Sequence, residues 1–216
     1  VYREGVEILP RNSAEWARLQ GGLARALYAR GRTPDATRAM DEAVRVARKL
    51  GVPVATVELL LAQAELTASL GLSAESLAQL RGADEMVQLA INGPTHGSGR
   101  PPPAQGATEL RALHKLRVEV LLRLARAIRL SGDEMSAGEP LLEAREIADR
   151  HGLLLERARC DAEGAERAEQ IGDRRAAASA WSRAAVSARA AGDPLSESAY
   201  SEREARLGLA TNAQAG

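Results

Sequence analysis

Small and large apolar residues recur along this chain at helical spacing and in a fixed long-range order. Counted from Gly31, Gly71, Gly132 and Gly172, an alanine stands seven residues earlier in every case: Ala24, Ala64, Ala125 and Ala165. Five residues after the glycines come Ala36, Ser76, Ala137 and Ala177, and nine after come Met40, Leu80, Leu141 and Trp181. Twelve after come Ala43, Ala83, Ala144 and Ala184. Alanine makes up 43 of 216 residues, so a single alanine column would be weak evidence. Four columns in the order small, small, large, small, all locked to a glycine, define a repeat. The glycines are 40, 61 and 40 residues apart, the middle spacing being one period plus an insertion of 21. A second glycine recurs twenty residues on, at Gly51, Gly152 and Gly192; the second copy has Ile91 there and Gly93 two residues later. Periods of this length belong to stacked repeats.

Such columns describe two antiparallel helices per copy. Small residues on either side of the turn let the helix axes approach, and the large residue fills the gap to the next pair. Glycine at the turn suits the left-handed conformation that ends a helix. Start signals follow it: Thr33 before Pro34, Asp133 and Asp173 directly after their glycines, and Asp193 before Pro194. The spacing predicts helices over 14–30, 34–50, 54–70, 73–91, 108–131, 134–151, 154–171, 174–191 and 195–208. No alternating apolar run predicts a strand. The expected fold is all-α, an α-solenoid of four antiparallel helix pairs with a C-terminal capping helix. Its parts are an N-terminal extension or helix tail over 1–10 and two repeats over 11–91. A Gly/Pro-rich loop over 92–107 precedes two more repeats over 108–193, a cap over 194–208 and a tail over 209–216. Because the register resumes after the loop, one continuous stack is expected.

The turn glycine, the small residues seven before and five after it, and the alanine twelve after resemble the tetratricopeptide repeat family over roughly 14–191. Two departures stand out. The common repeat of that family has 34 residues and often ends in proline, whereas this period is 40 and Arg48, Gln88, Asp149 and Arg189 occupy that place. Leu23, Leu27, Leu124 and Ile128 replace most of the usual first-helix aromatics. Longer repeats of this kind are similar to tetratricopeptide-like regions of bacterial multidomain regulators, such as signal-transduction ATPases and maltose-activator-type transcription factors.

Charge and chemistry narrow the function classes. Lys+Arg and Asp+Glu both number 29, which disfavours a general nucleic-acid or anionic-membrane binder. Only Lys49 and Lys115 are lysine; the arginines alternate with acids along the helices and read as solvated faces. Five aromatics, Tyr2, Trp16, Tyr28, Trp181 and Tyr200, are too few for a base-stacking platform. No stretch reaches the roughly 18 apolar residues of a membrane span. The start does not read as a secretory signal, and the cytosol is the expected compartment. Val1 is not an initiator methionine, and 2–9 reads as a helix tail cut by Pro10, a start compatible with a fragment or processed form. A lone cysteine, Cys160, excludes an intrachain disulfide framework and reads as a packing residue. His96, His114 and His151 are widely spaced and pair with no cysteine, so neither a metal site nor a cofactor is expected. Acidic pairs such as Asp41-Glu42 and Asp133-Glu134 read as caps or solvated charge. Gly97-Ser98-Gly99-Arg100 runs into Pro101–Pro103 instead of opening a helix, so it is no phosphate loop. The 92–107 segment reads as a flexible loop, with a lid or a proline-module ligand as the alternative readings. The chain is expected not to be an enzyme.

The resemblance implies that the first helix of each pair lines a concave groove for an extended peptide or a helix. Counting thirteen, ten, six and three residues back from each turn glycine traces one face of those helices. The first copy gives Arg18, Gly21, Arg25 and Tyr28; the second, Glu58, Leu61, Glu65 and Ala68. The third gives Glu119, Leu122, Arg126 and Arg129; the fourth, Arg159, Ala162, Glu166 and Glu169. The Asn/Lys set that grips a terminal carboxylate in some family members is missing. In one column, Arg25, Glu65, Arg126 and Glu166, the sign alternates from copy to copy. It reads either as a ladder of ion pairs between repeats or as a polar groove floor. On the second reading Leu61 and Leu122 make apolar contacts, and Arg126 with Arg129 binds acid. The expected partner is a protein or peptide, with no nucleic acid bound directly and no membrane; the solenoid ends offer surfaces for homo-oligomers. A scaffold or adaptor is the first functional reading, and a sensor or oligomerisation segment of a larger regulator is the alternative.

Overall fold

The structure, a computed structural model, describes residues 7–93 and 106–213, with side chains through residue 208. Most of the 92–107 loop, residues 1–6 and part of the tail over 209–216 therefore lie outside the described residues. Among those described, the chain is all-helical, with α1 (Ala14–Ala29), α2 (Thr33–Leu50), α3 (Pro53–Ser69), α4 (Ser73–Asn92) and α5 (Ala107–Leu130). There follow α6 (Gly138–Arg150), α7 (Leu154–Gln170), α8 (Arg174–Ala190) and α9 (Pro194–Ala213). None of these helices is long and apolar enough to cross a membrane.

The seven glycines of the two turn columns and the displaced Gly93 have positive φ, from +60° at Gly152 to +90° at Gly132, and no other described residue type does. An L side chain there would crowd the following carbonyl, which is why the repeat shows glycine and not merely a small residue. Gly93 ends α4 two residues late, as the sequence indicates, and α4 is correspondingly 20 residues long.

Most helix ends fall within one residue of expectation, but Thr33 takes a different place and two boundaries lie further off. Thr33 lies inside α2, because the Arg32 carbonyl accepts the first helical bond, from the Ala36 N–H at 3.0 Å. Helix α6 begins at Gly138 rather than near 134. In a helix the Glu134 carbonyl would accept from the Gly138 N–H; here Arg167 donates to that carbonyl at 3.2 Å and to the Glu134 carboxylate at 2.6 Å. The Gly138 N–H turns to the Met135 carbonyl instead, at 3.3 Å. Helix α9 runs on to Ala213, past the expected end at 208.

The described residues divide after Gly132 into two compact units. In the first, each helix packs on the next in chain order, and the first helices also stack, α1 on α3 and α3 on α5. In the second, α6, α7, α8 and α9 pack in the same sequential way. This neighbour-to-neighbour packing is the rule of a solenoid, where each hairpin buries its apolar face on the next.

The repeat columns form the core. Ala24, Ala36, Met40, Ala43, Ala83, Ala144, Ala165, Ala177 and Ala184 are fully buried. Ser76 takes an alanine's place because its hydroxyl donates to the Ala64 carbonyl at 2.8 Å, which removes the penalty of burying it. Leu141 is the exception, half-buried in the first turn of the shortened α6. In the second unit Trp181 packs with Ala162, Ala165, Ala180 and Ala184, and α9 closes over it with Tyr200 and Leu207. The Tyr200 ring centroid is 5.5 Å from that of Trp181, and the Arg203 guanidinium lies 5.3 Å from the indole centroid.

Candidate functional site

Because α1, α3 and α5 stack, residues at equal distances from their turn glycines come side by side. Arg18 Nε donates to Glu58 Oε2 at 2.9 Å, and Arg25 Nη2 to Glu65 Oε2 at 3.3 Å, both bonds joining α1 to α3. Tyr28 donates its hydroxyl to the Ser69 carbonyl at 3.3 Å, satisfying a backbone acceptor in the last turn of α3. Glu65 Oε2 also accepts from Arg123 Nη1 at 3.5 Å, and Arg123 Nε donates to Glu119 Oε1 at 2.8 Å. A chain of charges thus runs Arg25, Glu65, Arg123, Glu119 across three helices.

Arg123 is absent from the face counted on the sequence, although its spacing of four from Glu119 marks it as that residue's helical neighbour. Arg126 is exposed and Arg129 half-buried on the same helix. Leu61 and Leu122 are only 5% and 9% exposed. The apolar contacts expected of them on a groove floor therefore belong to the helix packing beneath the charges. Gly21 marks the close approach of α1 to α3, since a Cβ there would fall 2.5 Å from Leu59 Cδ2.

In the second unit, Arg159 is exposed and Ala162 buried, while Glu166 and Glu169 are half-buried. Glu169 accepts a hydrogen bond from the indole N–H of Trp181 and lies 3.9 Å from Arg203 Nη1, so it anchors the core as well as edging the face.

The paired side chains stay wet: Arg18 and Glu58 are 46% and 43% exposed, Arg25 and Glu65 61% and 58%. Each such pair contributes about 0–1 kcal/mol, so the ladder orients the charges more than it stabilises the fold. Cys160 offers no competing chemistry. Burial raises its thiol to about 12, with the neighbouring Asp161 carboxylate adding to the effect, so it stays protonated at neutral pH.

No family model matches the chain, and neither does any curated protein. Among solved structures it is similar to the crystal structure of BtubC (BKLC) from P. vanneervenii, at 16% sequence identity and a TM-score of 0.63. The match covers 92% of this chain and 82% of that one. At this identity the likeness extends to the path of the helices and no further.

Proposed function

We propose that this chain is a non-catalytic scaffold, of tetratricopeptide-like type, that binds a protein or peptide along the first-helix face of α1, α3 and α5. The observation that carries the reading is the ordered row of half-exposed guanidinium and carboxylate groups across three stacked helices, with buried leucines beneath it. Charges fixed on rigid helices discriminate partners by complementarity and speed encounter, even where each pair adds little affinity. Arg126 and Arg129 lie at the α5 edge of this row and meet acidic groups of the partner.

The test is capture by the immobilised chain from lysate of its source, with captured proteins identified by mass spectrometry and re-measured in purified form. The double variant Arg126→Glu/Arg129→Glu should lose a specifically captured protein while keeping its far-ultraviolet helix signal. A variant that binds that purified protein as tightly as the parent removes this face from consideration.

A further inference from the structure

A different side of α1 carries a second surface. Two concavities of about 680 and 460 Å³ meet at Glu42 along α2: the first lies between α1 and α2, and the second between α2 and the Arg11–Asn12 segment that precedes α1. Leu23, Leu27, Ala39 and Val46 supply apolar floor. Arg30, Arg32 and Arg38 border one concavity, and Arg11, Arg45 and Lys49 the other. Against these six bases stand two acids, Asp35 and Glu42, in a chain whose formal net charge is zero.

Those acids are already engaged. Arg32 and Arg38 hold the two oxygens of Asp35, and Arg45 lies 3.5 Å from Glu42. Arg11, Arg30 and Lys49 therefore face the groove without an acidic partner among the described residues. The first concavity also receives Gln20, which is only 8% exposed and whose Oε1 is buried with no hydrogen-bond donor. A buried acceptor of this kind calls for a donor from whatever fills the groove.

From Asp35 to Lys49 the groove follows fourteen residue steps of α2, or roughly 21 Å at 1.5 Å per step, the length of a four-turn helix. A trough between two packed helices matches the ridge of a third. We propose that this groove docks an acidic amphipathic helix of a partner protein. Its apolar stripe lies over Leu23, Leu27, Ala39 and Val46, and its carboxylates meet Arg11, Arg30 and Lys49. The surface is distinct from the first-helix face and stands or falls independently of it.

The probe is a fluorescein-labelled 16-residue peptide with leucines at helical i, i+3, i+4 spacing, one glutamine in the stripe and glutamates elsewhere. Its anisotropy is titrated with the full chain. The expected result is saturable binding that weakens with salt and falls at least about tenfold in Arg30→Glu/Lys49→Glu. Both residues are exposed, so the reversal preserves the fold, which a circular-dichroism melt verifies. The Arg126→Glu/Arg129→Glu variant should bind this peptide like the parent. No saturable binding, equal binding of a scrambled peptide, or equal binding by Arg30→Glu/Lys49→Glu overturns the proposal. It is also overturned if sedimentation shows a dimer of this chain that the same reversal dissolves, since the occupant is then a second copy.

Discussion

Asp161 is the place where stability and charge are most tightly opposed in this protein, and its replacement separates them. The side chain is 1% exposed on α7, with Oδ1 3.4 Å from Arg145 Nη1 and 3.2 Å from Arg183 Nε. Its Oδ2 is buried without a donor. Unit charges about 3.3 Å apart attract by about 5 kcal/mol at an effective dielectric of 20, but removing a carboxylate from water takes back several kcal/mol. The arginines are 35% and 43% exposed, so they keep part of their hydration and can recover more if released. Asp161→Asn keeps shape and one acceptor, and its amide nitrogen inherits the orphaned position. The change therefore isolates the charge, with an expected loss of about 1–3 kcal/mol. Asp161→Leu combined with Arg145→Met and Arg183→Met removes all three charges and the orphan together, and this leucine variant should come within about 1 kcal/mol of the parent. Urea unfolding followed by Trp181 fluorescence in a Trp16→Phe background reads the second unit alone. An asparagine variant as stable as the parent, or a leucine variant weaker than the asparagine one, refutes this division of terms.

Two further outcomes test the packing and the helix starts. Gly21→Leu should lower stability by about 1–3 kcal/mol, because the added side chain must displace Leu59, which is 4% exposed, where α1 and α3 approach most closely. Urea titration read by Trp16 checks this; a neutral result would show that α1 and α3 can spread to the spacing that accepts Leu61 at the same position of the next copy. Asp133 and Asp193 accept the Ser136 and Ser196 N–H groups at 3.1 Å each, and these serine hydrogen bonds hold both carboxyls below the ordinary 3.8. Lowered folded-state values mean that their stabilisation is complete above the unfolded value and lost as pH falls through the folded ones. Melting temperature should therefore drop more steeply below 3.8 in the parent than in Asp193→Asn, which caps without titrating. Parallel acid slopes in the two proteins would contradict the assignment.

Most of the fold was legible because its constraints are local and repeated. Left-handed turns demand glycine, and tight crossings demand alanine, so both wrote themselves into columns. Where one residue satisfied a long-range need, the columns were silent. The late start of α6 depends on Arg167 reaching back to the Glu134 carbonyl, a contact 33 residues distant that no capping rule contains. Leu61 and Leu122 share a helical face with charged residues, and only the closeness of the stacked helices decides that they are buried. Asp161 reads as one more acid in a charged helix until Arg145 and Arg183, from the two flanking helices, converge on it. The α1–α2 groove is equally silent, because its bases come from four separate stretches of sequence.

The alternating column itself gains a meaning that counting could not supply. Glu65 serves two guanidiniums at once, Arg25 on one neighbouring helix and Arg123 on the other. Pairs this exposed would be a poor choice for stability alone, since each gives about 0–1 kcal/mol and long side chains lose up to about 2 kcal/mol of rotamer entropy when held. In a binding face, however, that ordering has already been met in the free protein and is not charged against association. On the proposed reading, an arriving carboxylate would meet Arg25 or Arg123 already aimed, with Glu65 able to release one of them because it retains the other. On that reading the ladder and the binding face are one device, in which the shared Glu65 would let the row exchange an internal partner for an external one.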